Sequence, residues 1–187
     1  MPDAAPQRSD ALKNREAILQ VAHDALAESP NASLNSIAKR AGVGPGTLYR
    51  HFPKRENLLD AIMQSWVDRV TETADKALAF EGSDRDLLLN WFEEYVRLIS
   101  QHKGGPAKIT SAMGDPDSPI ITKCQVLAAA NDRVIERLRA DDALRDDVET
   151  IQVCRLVGGI ATVADQGSLD VPAVRPMLAV VADGLLK

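Results

Sequence analysis

The chain is short of several features that direct a reading. Aromatic residues make up only 4% of its 187 positions. Cysteine occurs twice, at Cys124 and Cys154, far apart and with no Cys-x-x-Cys. Such a pair reads as two buried apolar residues rather than a disulfide framework; a redox pair or sensor thiol is the minor alternative. The three histidines are scattered with no metal-ligand spacing, so neither a metal nor a cofactor is expected. No apolar run approaches the ~18 residues that span a bilayer. The start, MPDAAPQRSDALKNR, lacks the apolar core of a signal peptide, so a cytoplasmic protein with no membrane partner is expected. Val, Ile and Thr seldom alternate with polar residues, which leaves strand signals nearly absent. No nucleophile–base pairing or cofactor motif stands out, so no catalytic residue is assigned and an enzyme is not expected. GVGPGT resembles a phosphate loop, but it follows a helical pattern rather than a strand and lacks the GK[ST] ending.

One local absence is more telling. Between Glu28 and Glu56 there is no acidic residue, while Lys39, Arg40, Arg50, Lys54 and Arg55 all fall there. The whole chain carries a formal charge of -5. This is a basic island on an acidic body, which a duplex phosphate backbone attracts. The island lies in SLNSIAKRAGVGPGTLYRHF, residues 33–52. Ser33 suits an N-cap for a short helix from Leu34 to Ala41. Gly42 and Gly44 bracket a turn. Pro45 suits the first turn of a second helix reaching His51, and Pro53 closes it. That is a helix-turn-helix, whose second helix enters the major groove. Leu34, Ile37, Ala38, Ala41, Val43, Leu48 and Phe52 fit a small core with Ile18, Val21 and Ala22. Thr47, Tyr49, Arg50 and His51 are left to face outward. Lys54 and Arg55 stand at the start of the next helix, where backbone N–H groups favour an anion. Arg8, Lys13 and Arg15 are a weaker candidate for a minor-groove arm.

The rest of the chain follows a helical period. An arm to about Ser9 reads as unstructured, and a first helix runs from about Asp10 to Glu28. A long helix spans about Arg55 to Ala79, with apolar positions at spacings of three and four. Helices follow at about Asp84–Lys103, Ala107–Met113, Pro119–Arg139, Asp147–Ala164 and Val171–Leu186, with a loop over Gly114–Pro119. The expected architecture is all-α, with a DNA-binding domain over residues 10–55 and a larger helical domain over residues 56–187.

Three stretches carry a family resemblance: REAILQVAHDALAE, SLNSIAKRAGVGPGTLYRHF and PKRENLLDAI. From Asn14 to about Trp66 the chain resembles the N-terminal domain of TetR family bacterial transcriptional regulators, closest to a subgroup with GTLYRHFPxRE. The resemblance implies an all-helical homodimer with an N-terminal DNA-binding domain and a C-terminal domain that dimerises and binds a ligand. It implies DNA contacts from Ser33, Gly44, Pro45, Gly46, Thr47, Tyr49, Arg50, His51, Lys54 and Arg55. Many members carry Ser at the position of Gly44 and a polar residue at Pro45, and Ser or Asn often stands where Lys54 does. Arg55 replaces the usual Lys.

A pocket among the central helices is also implied, for a largely apolar small-molecule effector. Met63, Trp66, Trp91, Tyr95, Met113 and Cys124 are its candidate residues, with His102, Gln125 and Asn131 as polar members. The alternative is that this aromatic stripe is ordinary core. Gly158 and Gly159 sit inside a helix, where each costs about 1 kcal/mol relative to Ala. Close approach of another helix would compensate. With Val163, Val174, Leu178 and Val181 they form the candidate dimer face; a local kink or packing within the chain is the alternative. Two-fold pairing would set two recognition helices about 34 Å apart on a palindromic operator. The expected function is a repressor released from double-stranded operator DNA by a ligand. The alternative is a DNA-binding regulator that activates, or one without an effector.

Overall fold

A computed structural model describes the backbone of residues 5–187 and the side chains from Arg15 onward. Among the described residues there are nine helices: α1 (Ala5–Glu28), α2 (Leu34–Arg40), α3 (Pro45–His51), α4 (Arg55–Leu78), α5 (Asp84–Ile99), α6 (Gly105–Ala112), α7 (Ile121–Ala140), α8 (Thr150–Gly167) and α9 (Val171–Leu185). The all-α expectation holds. The chain divides into two compact units, one up to Trp66 and one from Val67 to Lys187.

In the first unit, α1 begins at Ala5 rather than about Asp10, which corrects the unstructured arm from that residue on. Pro6 falls in the first turn, where its missing N–H has no helical partner to lose. Ile18, Leu19, Ala22 and Ala25 form the inner face of α1. They meet Ile37 and Ala38 of α2, Leu48 of α3, Phe52, and Leu58 and Ile62 of α4. The two short helices bury few residues each, so their junction must be well determined. Ser33 Oγ accepts from Ser36 N at 3.1 Å and starts α2. Gly42, at φ +68°, ends it. Gly42 N donates to Lys39 O, and Val43 N donates to Ala38 O. This pair of bonds is a Schellman ending, which needs the left-handed backbone glycine adopts without strain.

The second unit is built around α5. Trp91, Phe92 and Tyr95 are all but fully buried there. Arg85 of α5 pairs with Asp183 of α9 at 2.5 Å, and Arg175 of α9 pairs with Glu93 of α5. Arg133 of α7 pairs with Asp75 of α4 at 2.6 Å. These exposed pairs fix register more than they stabilise. The acidic segment after α7 holds the end of α9. Leu144 bridges Leu186, Arg145 N donates to Leu185 O at 3.0 Å, and Lys187 N donates to Ala143 O at 3.0 Å.

Candidate nucleic-acid interface

The seven residues of α3 divide sharply. Leu48 is fully buried and Phe52, its C-cap, is 2% exposed, so these two anchor the helix. Pro45 and Tyr49 lie four apart on the outside, as do Gly46 and Arg50. Tyr49 is 42% exposed, unusual for an aromatic residue in a chain with so few. Thr47 and His51 are half-buried and flank this face. The His51 ring lies tilted against Phe52, their centroids 6.2 Å apart.

Gly44 caps α3 with an extended backbone (φ -65°, ψ 145°) and no side-chain bond. A Cβ added at Gly44 or Gly46 would meet nothing within 4 Å. The protein's own packing therefore does not require either glycine. At the start of α4 a side chain from inside the helix meets the backbone: Asn57 Oδ1 accepts from Lys54 N at 3.1 Å.

The basic island is not uniformly available. Arg40 makes a two-pronged pair with Glu28, at 2.6 and 2.7 Å. Arg55 donates to Ala32 O at 2.5 Å and to Pro30 O. Arg40 ties the end of α2 to the end of α1, and Arg55 ties the start of α4 to the loop between them, so both guanidinium groups are engaged inside the unit. For Arg55 this differs from the expected phosphate contact. The Ala32 and Pro30 carbonyls of the loop between α1 and α2 accept both arms of the guanidinium as charge-assisted hydrogen bonds. Lys39, Arg50 and Lys54 remain exposed. Ser33 is exposed, but its hydroxyl is engaged in the α2 cap. The side chains of Arg8 and Lys13 lie outside the described residues. Arg15 lies over the Phe52 ring at 5.8 Å, a cation–π contact rather than a free arm.

The expected ligand residues are mostly core. In the first unit Met63 is half-buried and Trp66 is 4% exposed. In the second, Trp91, Tyr95, Met113 and Cys124 are buried. Trp91 and Tyr95 pack edge to face at 6.3 Å. A polar chain crosses this core that sequence did not reveal. Trp91 Nε1 donates to Asn131 Oδ1 at 2.6 Å, and Asn131 Nδ2 donates to Cys154 Sγ at 2.9 Å. The Tyr95 hydroxyl reaches Cys154 O at 3.5 Å. Burial pushes the Cys154 thiol, the Cys124 thiol and the Tyr95 phenol up from their ordinary values. Gln125 is exposed. A cavity of about 550 Å³ opens elsewhere in this unit, lined by Val96, Ser100, Lys103, Asp165 and Leu169 among others; none of the expected ligand residues lines it.

The expected dimer face needs correction at three of its six positions. Val174 and Leu178 are fully buried on the inner side of α9. Gly158 is buried against α6, where an added Cβ would come within 3.0 Å of Thr110 Oγ1. The close approach that the glycine permits lies within the chain. Gly159 and Val163 lie on the outer side: Val163 is 52% exposed, and a Cβ at Gly159 would meet nothing within 4 Å. Val181 is half-buried, two turns on from Val174. Leu156 and Val180, at 51% and 73% exposed, were missed and belong to the same outer surface. The helical period of α8 finds Leu156 once Gly158 is set inward, and that of α9 finds Val180 once Val174 and Leu178 are.

Comparison with known proteins supplies the context. The profile described as bacterial regulatory proteins, tetR family, matches residues 18–62. The profile described as the C-terminal domain of SbtR-like transcriptional regulators matches residues 83–187. The HTH-type transcriptional regulator SAB2452 of Staphylococcus aureus (strain bovine RF122 / ET3-1) is 44% identical over 59 residues. That stretch covers 30% of this chain and 32% of that protein, so the match spans about a third of the curated relative. Among solved structures, the TetR transcriptional regulator SCO0520 from Streptomyces coelicolor is 27% identical with a TM-score of 0.65, covering 92% of this chain and 98% of that one. The TetR transcription regulatory protein from Mycobacterium vanbaalenii is 27% identical with a TM-score of 0.61, covering 97% and 100%.

Proposed function

We propose that this chain, which belongs to the TetR family of bacterial regulatory proteins, is a homodimeric repressor released from a palindromic DNA operator by a small-molecule ligand. The observation that carries the reading is the outer face of α3. Tyr49 and Arg50 project from a helix anchored by Leu48, Lys54 lies just beyond, and no carboxylate occurs from residue 29 to residue 55. Arg50 can take guanine's two acceptors, Tyr49 and Thr47 can reach phosphate or a thymine methyl, and Lys54 can pair with phosphate. The open space over Gly44 and Gly46 lets a sugar–phosphate backbone approach closely.

The dimer reading rests on the outer faces of α8 and α9. Leu156, Gly159, Ile160 and Val163 recur at helical spacing on α8, and Ala173, Met177, Val180 and Gly184 do so on α9. Two such faces pack as a helical bundle around a two-fold axis. Gly159 lowers helix propensity and nothing within the protomer needs it, which favours a partner helix as the reason. Effector binding is assigned to the second unit, near Trp91, Tyr95, Met113 and Cys124. A ligand that opens this core in one of two states would shift α4 and so the spacing of the heads. A coupling of ~1–3 kcal/mol suffices for roughly 5–150-fold in operator affinity.

Run-off transcription from a template carrying the protein's selected binding site tests the direction. Repression predicts less transcript with protein present. More transcript would replace the repressor reading with activation.

A further inference from the structure

The cavity of about 550 Å³ in the second unit lies where the end of α5 meets the turn between α8 and α9. Its size is that of a small-ligand cleft, roughly 300–1,000 Å³. Val96 of α5, Ala164 of α8 and Leu169 of the turn give it apolar walls. The turn is tightly made. Ser168 takes a left-handed backbone (φ +52°), and Leu169 N donates back to Ala164 O at 2.8 Å. Leu169 is thereby held in the cavity lining although it is 43% exposed. The residues assigned above to the outer, dimer-forming surface, Leu156, Gly159, Val163 and Val180, do not line the cavity.

The polar lining divides into groups that the fold uses and groups that it does not. Arg97 is paired with Glu93 at 3.4 Å and with Glu94. Asp170 Oδ1 caps α9 by accepting from Ala173 N at 3.0 Å. Ser100, Asp165 and Lys103 remain. Ser100 Oγ is buried with no hydrogen-bond partner. Asp165 is half-buried, and its Oδ2 accepts from Gly104 N at 2.8 Å. That bond brings the carboxylate to the residue after Lys103, yet the exposed Lys103 ammonium does not close on it. Among the described residues neither charge is in an ion pair. One cavity thus presents a carboxylate, an ammonium and an unsatisfied hydroxyl beside apolar walls. A simple anion entering it meets the like charge of Asp165, and a simple cation meets that of Lys103. A ligand with both charges close together answers each of them, and an apolar side chain on it covers Leu169.

We propose that this cavity binds a small zwitterion with an apolar side chain, a free α-amino acid. Its ammonium would lie on Asp165, its carboxylate on Lys103 and Ser100, and its side chain against Val96, Ala164 and Leu169. The site is distinct from the aromatic core to which effector binding is assigned above. Its consequence for DNA rests on the ligand-release reading: the lining turn joins α8 to α9, so filling the cavity would bias how these helices pair between subunits.

Isothermal titration calorimetry on the full-length protein at neutral pH tests the site without DNA. The probes are free leucine, isocaproate (no ammonium), isoamylamine (no carboxylate) and glycine (no apolar side chain). Leucine should bind saturably, and each of the other three at least about tenfold more weakly. Asp165→Asn keeps an acceptor for Gly104 N and removes the charge. It should weaken leucine about 10- to 100-fold and leave isocaproate no weaker. Lys103→Met, at an exposed position, should weaken leucine and leave isoamylamine no weaker. Ser100→Ala should weaken leucine without lowering Tm, because the hydroxyl has no partner in the free protein. If Asp165→Asn did not fold, the Lys103→Met protein decides: unchanged leucine binding there would overturn the proposal. So would the absence of saturable leucine binding, or isocaproate or isoamylamine binding as tightly as leucine. Leucine binding with no effect on operator affinity would instead refute the consequence for DNA and leave the site standing.

Discussion

Gly158 offers a quantitative test of how the second unit is packed. Replacing it by Ala sets a methyl against Thr110 Oγ1 at under 3.0 Å, with Thr110 Cβ and Cγ2 at 3.5 Å. Overpacking of this kind costs about 1–3 kcal/mol. The same substitution removes a helix-interior glycine, a gain of about 1 kcal/mol. Gly158→Ala should therefore destabilise by roughly 0–2 kcal/mol, or up to several degrees in Tm at about 2–4 °C per kcal/mol. Thr110→Ala removes the clashing hydroxyl, which is buried with no partner. The new methyl at 158 then fills the space that the hydroxyl leaves. The double variant should equal or exceed wild type, giving a coupling of about 1–3 kcal/mol between the sites. Thermal unfolding of the four proteins at one fixed concentration reads the cycle, because dimer stability depends on concentration. Sedimentation should show all four as dimers. If Gly158→Ala dissociated the dimer and Thr110→Ala gave no rescue, Gly158 would belong to the subunit interface and the inward assignment would be refuted.

Gly46→Ala should raise thermal stability slightly, since its methyl meets nothing in the protein, yet weaken operator binding; anisotropy showing unchanged affinity would mean that DNA does not approach there. Val163→Asp and Val180→Asp should give monomers by sedimentation without unfolding, whereas Val174→Asp, fully buried, should unfold the unit; dimeric Val163→Asp and Val180→Asp proteins would move the interface elsewhere. With the Cys124 and Cys154 thiols and the Tyr95 phenol raised by burial, the folded chain keeps protons that the unfolded chain has released. Their contribution is complete below the ordinary thiol value of roughly 8.5 and is lost as pH rises. Tm should fall as pH rises above about 8.5, and less steeply in the Cys124→Ala, Cys154→Ala double variant; equal slopes would assign the alkaline loss to other groups.

What sequence revealed, and what it did not, follows from the range of the interactions. The helices were legible because their apolar spacing is local, and the head because two short helices force nearly every side chain in or out. Leu48 reads as inward and Tyr49 as outward, although packing of the Tyr49 ring on the long helix is settled only by its 42% exposure. Long-range partners were not legible. Nothing in the sequence says that Arg40 pairs with Glu28 twelve residues earlier, or that Arg55 reaches the carbonyls of Pro30 and Ala32. A glycine inside α8 announces a close approach but not its partner, which for Gly158 is Thr110. The chain from Trp91 through Asn131 to Cys154 joins residues up to 63 positions apart, and no motif encodes it. The start of α8 at Thr150 rather than Asp147 reflects the turn at Arg145–Val148 that binds the C-terminus.

The central claim is that α3 reads DNA sequence. Random-site selection with the full-length protein, followed by anisotropy on the selected duplex over a salt series, tests it most directly. A palindrome should be selected and bound far more tightly than scrambled DNA. Tyr49→Ala or Arg50→Ala should bind it at least about tenfold more weakly, and Lys54→Ala should lower the salt slope by about one. Enrichment of no sequence, or wild-type affinity in both the Tyr49→Ala and Arg50→Ala proteins, would contradict it.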